Sequence, residues 1–291
     1  MPRLLVTGVG GLLGSHVARS AADTWQIATT SSGFCPPDLA DRFIPCDLRD
    51  DEAVRHLVDG VAPEAIVHCA ALSENRLCES DPELAVRINV EASIRLAQAV
   101  TAAGGRFVFV STDLVFDGTA APYDETATPN PRGWYARSKH MAEERVLELP
   151  NTVVVRTSLL LGASPRRDRS VEERLARQCA AGETPTLFVD EFRTPLAAAD
   201  LARALVRLAA GTESGLLHLA GPDCLSRYAL GLLLTAHFGW PDDWIQPGSV
   251  NDFPATPPRP TNVCLDCNRA RALLGNNVIR PLVEVYPSRS R

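Results

Sequence analysis

Tyr135 and Lys139 stand four residues apart in the run Tyr135-Ala-Arg-Ser-Lys139. On a helix, residues i and i+4 share one face, a turn apart. A free phenol titrates near pH 10, and an ammonium beside it favours the phenolate and lowers that pKa. A phenol tuned in this way can give or take a proton near neutral pH. A Tyr-x-x-x-Lys spacing alone recurs by chance, but here Val110-Ser-Thr-Asp-Leu-Val-Phe-Asp-Gly118 precedes it. The hydroxyl of Thr112 ends an apolar run, at the carboxyl edge of the strand that run predicts. Ligands bind at that edge in open α/β sheets. Thr112 can hydrogen-bond a substrate carbonyl and share a proton network with Tyr135; the simpler alternative is a turn-capping hydroxyl.

Near the start of the chain lies Thr7-Gly-Val-Gly-Gly-Leu-Leu-Gly14. Gly8, Gly11 and Gly14 fit G-x-x-G-x-x-G between a strand and a helix. A pyrophosphate site asks the chain to turn sharply, to approach the phosphates with bare backbone, and to pack a helix closely on the sheet. Glycine meets all three demands, and the helix start then offers N–H groups and the positive dipole end. Gly8, Gly10, Gly11, Leu12, Leu13 and Gly14 are therefore the expected phosphate cradle of a nicotinamide dinucleotide. In its oxidised form the nicotinamide is positively charged, which would further favour a phenolate at Tyr135. The second strand ends Thr29-Thr-Ser-Ser-Gly33 with no acid to hold a ribose 2′-hydroxyl or repel a 2′-phosphate. Ser31 and Ser32 thus point to NADP(H), with NAD(H) still open because no arginine stands there either. Asp47 and Leu48 follow the third strand, where adenine would lie; for Asp47 a helix N-cap is the competing reading.

The elements that must carry these groups follow from the pattern of apolar runs. Strands are predicted at Leu4–Thr7, Trp25–Thr29, Phe43–Pro45, Ala65–Cys69, Arg106–Ser111 and Thr152–Arg156. Helices are predicted at Gly11–Ala22, Asp50–Asp59, Pro82–Ala103 and Tyr135–Leu149, with Gly104-Gly105 and Pro150 as stops. Strands alternating with helices predict a doubly wound parallel sheet. Continuous apolar strands agree with burial on both faces. After about residue 160 the rhythm changes. Helices are expected at Val171–Ala181, Ala198–Ala210 and Ser226–Phe238 and a strand at Leu216–Ala220, and the six prolines from Pro241 to Pro260 predict loop. The expected division is a Rossmann domain over 1–160, with parts of 190–220 returning to it, and a smaller mixed α/β substrate lobe over 161–291.

A chain of 291 residues with 45% hydrophobic and 22% charged residues can bury an ordinary core. A net charge of −6 argues against nucleic acid as partner. Arg166, Arg167 and Arg169 form a local basic cluster, read as a solvated loop. Eight cysteines are scattered rather than dense, so they are expected as free thiols, several packed as small hydrophobes. Cys264-x-x-Cys267 has no second pair nearby to complete a zinc site. His16, His56, His140, His218 and His237 show no metal-ligand spacing, so no metal is expected. No apolar stretch approaches a membrane span and no signal segment opens the chain, which makes the cytoplasm the expected address.

Taken together, these motifs resemble the extended short-chain dehydrogenases and, within them, the dTDP-4-dehydrorhamnose reductase group of sugar-nucleotide reductases. The matching pieces are Thr7-Gly-x-x-Gly-x-x-Gly14, His68-Cys-Ala-Ala71, Ser111-Thr-Asp-Leu-Val-Phe-Asp-Gly118, Tyr135-x-x-x-Lys139 and Arg259-Pro-Thr-Asn-Val-Cys-Leu-Asp266. The resemblance implies Thr112, Tyr135 and Lys139 as catalytic residues, with Tyr135 and Lys139 also contacting the cofactor. It also implies Cys69, Ala70 and Ala71 along the cofactor groove, Asn89 as a structural asparagine, and Asp113, Arg259 and Asn262 as substrate contacts. The implied activity is NAD(P)H-dependent reduction of a nucleotide-activated 4-keto sugar, and a homodimer is left open. Leu114 replaces the family's usual tyrosine, and Arg156-Thr-Ser-Leu-Leu-Leu-Gly162 lacks the tryptophan of the rhamnose enzymes, which leaves room for a different 4-keto sugar. Dehydratases of this kind carry Asp-Glu after the threonine, and here Leu114 follows Asp113. An epimerase, which would hold its NAD through turnover, is one alternative. Another is a non-catalytic NADP-binding subunit like the β subunit of methionine adenosyltransferase, which resembles the same family.

Overall fold

The computed structural model describes residues 1–241 and 243–288. Its centre is a six-stranded, all-parallel sheet. In chain order the first five strands are β1 (Arg3–Thr7), β2 (Gln26–Thr30), β3 (Ala65–His68), β4 (Arg106–Thr112) and β5 (Thr152–Thr157). The sixth, Gly215–His218, pairs with β5 at the edge, so the spatial order is Gly215–His218, β5, β4, β3, β1, β2. The segment Phe43–Pro45, expected as a strand, contributes only an isolated bridge from Phe43 to Thr29. A proline within so short a run leaves little backbone to donate to a ladder.

Alternation along each strand sorts its side chains into two cores. Leu4, Val6, Ala65, Val67, Val108, Val153 and Val155 face α1 (Leu12–Ala21) and the helix Ala198–Ala210. Leu5, Ile66, Phe107, Phe109 and Val154 face α2 (Asp51–Val61) and the helices Ala92–Ala102 and Trp134–Leu147. Both faces are dry, which is why these strands read as unbroken apolar runs. Phe107 and Phe109 are fully buried, and each such side chain stabilises the fold by about 1.5–3 kcal/mol. The long helical stretch after Pro82 is not uniform: Pro82–Val86 passes through a π turn at Arg87–Glu91 before Ala92–Ala102 begins.

Beyond β5 the chain forms small paired strands and helices around a separate apolar cluster that includes Leu161, Leu175, Leu230, Leu234, Trp244 and Ile245. Phe192–Arg193 pairs antiparallel with Leu225–Ser226, and Phe192 also bridges to Asn262. Within the proline-rich segment, Gln246–Gly248 pairs with Thr186–Phe188. The expectation of free thiols throughout is corrected here. Cys224 and Cys264 form a disulfide, and Cys267, the other half of Cys264-x-x-Cys267, is a buried free thiol whose sulfur accepts from the Ala220 N–H. Folding brings together two cysteines 40 residues apart, a distance no local spacing rule detects. No helix among the described residues is long and apolar enough to cross a membrane.

Candidate active site

The chain leaves β1 for β2 on one side and returns to β3 on the other. The strand order therefore reverses between β1 and β3, and a crevice opens at their carboxyl ends. The glycine turn fills the first half of it. Gly8 has φ +76° and its N–H donates to the Thr30 carbonyl at 2.8 Å. A Cβ on Gly8 would lie 2.7 Å from the Ala70 nitrogen, and one on Gly14 only 2.4 Å from the Gly8 oxygen. Gly11 caps α1 with no side-chain partner, and the first turn holds no acid. The N–H groups of that turn are thus free for an anion, unshielded by side chains, and this cradle fits the pyrophosphate of a dinucleotide.

A buried hydrogen-bond chain fixes the second half. The Ala70 N–H donates to Thr7 Oγ1 (3.1 Å), Thr7 Oγ1 meets His68 Nδ1 (2.7 Å), His68 Nε2 meets Ser93 Oγ (3.0 Å), and Ser93 donates to the Asn89 carbonyl (2.7 Å). A carbonyl only accepts, so the one Ser93 proton is committed there. Ser93 must then accept from His68 Nε2–H, which leaves Nδ1 to accept from Thr7. Burial pushes His68 down to about 3, so it stays neutral and purely structural. Asn89, in the π turn, accepts from the Leu72 N–H (2.8 Å) and donates to the Leu72 carbonyl (3.1 Å) and to Ser138 Oγ (2.9 Å). Ser138 lies between Tyr135 and Lys139, so Asn89 ties their helix to the loop after β3.

Thr112, Tyr135 and Lys139 all line one cleft of about 1060 Å³, which also takes in Gly8, Gly10, Gly11, Leu12, Leu13 and Gly14, Ser31 and Ser32, Asp47 and Leu48, and Cys69, Ala70 and Ala71. Lys139 is 2% exposed, with Nζ 3.8 Å from the centre of the Phe109 ring. Burial holds its ammonium down at about 7, against which Glu143 pulls upward. The half-buried Tyr135 departs from expectation. Burial, reinforced by the Asp113 carboxylate, pushes its phenol up to about 12, and the Thr112 hydroxyl facing it pulls the other way. The expected depression of the phenol does not follow, because desolvation disfavours the charged forms of both Tyr135 and Lys139. Thr112 borders the cleft, and its hydroxyl accepts from the Leu114 N–H at 3.2 Å, as the turn-capping alternative expects. Asp47 lines the cleft, but its carboxylate is taken by Arg49, which with the Arg49 N–H holds it at about 2. Asp50, not Asp47, caps α2.

Three expected substrate contacts are not among the residues that line the cleft. Asp113 is fully buried behind Thr112, gripped by Arg193 (Nε at 2.7 Å) and Ser158. The exposed Arg259 stands over the Phe188 ring at 5.2 Å. Asn262 accepts from the Cys264 N–H at 3.1 Å, closing a turn. Neither lines the cleft. Arginines that the sequence did not single out for the site do: Arg174 and Arg227. Arg227 has Glu191 no nearer than 3.7 Å. Burial pushes it down to about 10, with Arg193, Arg174 and Arg259 adding like-charge repulsion. Such a cluster favours an anion between its members. Arg166 and Arg169 are exposed, as the solvated-loop reading expects, and they also line the cleft.

Comparison with known proteins agrees with this geometry. The sequence matches the RmlD substrate binding domain family over residues 2–281. It is 31% identical over 285 residues to methionine adenosyltransferase 2 subunit beta of Danio rerio, covering 95% of this chain and 86% of that protein. It is also 31% identical over 276 residues to the probable low-salt glycan biosynthesis reductase Agl14 of Haloferax volcanii, covering 93% and 91%. A crystal structure of dTDP-4-dehydrorhamnose reductase from Bacillus anthracis in complex with NADP superposes with a TM-score of 0.84 at 25% identity, covering 94% of this chain and 93% of that one. The chain belongs to the RmlD substrate-binding domain family, within the extended short-chain dehydrogenases/reductases.

Proposed function

We propose that this protein reduces the keto group of a nucleotide-activated 4-keto sugar, using NADPH. The observation that carries the reading is the convergence of Thr112, Tyr135 and Lys139 on the cleft that the glycine turn opens. When bound, the dihydronicotinamide supplies a hydride to the carbonyl carbon. Tyr135, at about 12, holds its proton at neutral pH, which suits the reductive direction: the phenol gives that proton to the carbonyl oxygen as it gains charge. Thr112 orients the carbonyl. Lys139 stabilises the phenolate left behind, and its own titration near 7 lets it pass on a proton in restoring the phenol. Arg174 and Arg227 supply the positive wall for the diphosphate of the sugar nucleotide. NADPH is favoured over NADH because no acid follows β2 to repel a 2′-phosphate. The B. anthracis neighbour was crystallised with NADP.

Tyr135→Phe tests the reading. It should lower NADPH oxidation with a dTDP-4-keto sugar by roughly 10²–10⁴-fold and leave NADPH affinity unchanged; wild-type turnover in that variant refutes it. A second reading, a binding subunit without turnover, draws on the 31% identity to methionine adenosyltransferase 2 subunit beta. NADPH binding without oxidation on any 4-keto sugar, together with capture of a methionine adenosyltransferase catalytic subunit, would favour that reading. Purification with NAD bound through turnover would favour an epimerase.

A further inference from the structure

The loop after β5 crosses to the adenosine end of the cleft. His16, on α1, is hydrogen-bonded through Nε2 to the Ala163 carbonyl at 3.1 Å, which fastens the loop's base beside the glycine turn. Three residues further on, the Arg166 guanidinium stands 6.0 Å over the ring of Phe34. Phe34 lies just past the end of β2, is 40% exposed, and lines the same cleft as Arg166. Its position is not casual: Ser31 Oγ donates to the Phe34 carbonyl at 2.9 Å, folding the turn Ser31–Phe34 back on itself.

In this fold the ribose 2′ position lies at the end of the second strand, and selectivity is set by what stands there. The turn itself offers two serines and no cation. Arg49, which lines the cleft on that side, is already bonded to Asp47 through two nitrogens. Arg166 is not. Its nearest carboxylate, Asp168, lies at 3.7 Å, outside hydrogen-bond reach, and is shared with Arg169 at the same distance.

We propose that Arg166, reaching across from the substrate side, is the residue that recognises the 2′-phosphate of NADP(H), with the Ser32 hydroxyl completing the anion's contacts. The proposal rests on the cleft being the dinucleotide site. A guanidinium over the adenosine end would stack on the aromatic edge and the base while donating to the phosphate. Selectivity would then come from across the crevice instead of from the strand that usually provides it.

The test is direct binding, by calorimetry, of NADPH, NADH, 2′,5′-ADP and 5′-AMP to the full-length protein and to Arg166→Gln, with Arg167→Gln as control. Wild type should bind NADPH and 2′,5′-ADP more tightly than their counterparts lacking the 2′-phosphate. Arg166→Gln should lose roughly 10- to 100-fold of that preference, the worth of a charge-assisted contact, with NADH and 5′-AMP unchanged and Arg167→Gln like wild type. If Arg166→Gln keeps the full preference while all four ligands bind, the assignment is overturned and the dinucleotide site stands. If wild type binds none of the four, the dinucleotide reading falls and takes the assignment with it.

Discussion

Replacing Lys139 by methionine should make this protein more stable at neutral pH while disabling it. The side chain is 2% exposed, and burial lowers its pKa from 10.5 to about 7. Between those values the unfolded chain binds a proton that the folded chain does not, so stability rises with pH across that window. At pH 7 and below, the folded state therefore carries a penalty of roughly 4–5 kcal/mol for holding the ammonium, at about 1.36 kcal/mol per decade. Methionine has similar length and no charge, and it can rest on the Phe109 ring as Nζ does at 3.8 Å. With about 1 kcal/mol lost to imperfect packing, Lys139→Met should gain about 3 kcal/mol at pH 7. Urea unfolding of both proteins from pH 6 to 10 measures this, and taking their difference cancels the titrating groups that do not interact with Lys139. The gap should be largest at pH 7 or below and close towards pH 10. A variant less stable than wild type at pH 7, or a gap that does not change with pH, refutes the argument. Turnover in the same variant should fall by at least about 100-fold.

Arg193→Leu should destabilise by about 3–5 kcal/mol, because it strands the fully buried Asp113 carboxylate. Adding Asp113→Asn should recover much of that loss, and a single variant within about 1 kcal/mol of wild type in urea would show that Ser158 alone suffices for Asp113. Gly14→Ala places a methyl group 2.4 Å from the Gly8 oxygen, so the turn must open; NADPH affinity should fall at least about tenfold, and an unchanged affinity would remove the glycine turn from the binding site.

The parallel sheet and the residues that line the cleft were legible because their signals are local. Leu4–Val6 and Phe107–Val110 are unbroken apolar runs only because both faces of the sheet are covered, and Gly8 and Gly14 are glycines only because backbone stands within 3 Å of where a Cβ would be. Tyr135 and Lys139 follow from one helical turn. Charge, by contrast, was not legible. The sequence places a cation beside a phenol and suggests a phenolate, but whether charge or burial prevails depends on how much water remains, and here desolvation raises the one group and lowers the other. The motif residue Asp113 shows the same limit from another side: its neighbour Thr112 faces the cleft while Asp113 turns inward to Arg193, a partner 80 residues away. Arg174 and Arg227 belong to no motif, and they reach the cleft together only because two helices bring them there. Arg166 combines both situations, as a residue of a visible basic run whose meaning is set by Phe34, more than 130 residues earlier. The chemistry of the sheet edge is thus written in short spacings. The choice of anion is written in arginines delivered by tertiary packing, and a change in substrate or cofactor preference should be sought there before it is sought in the catalytic residues.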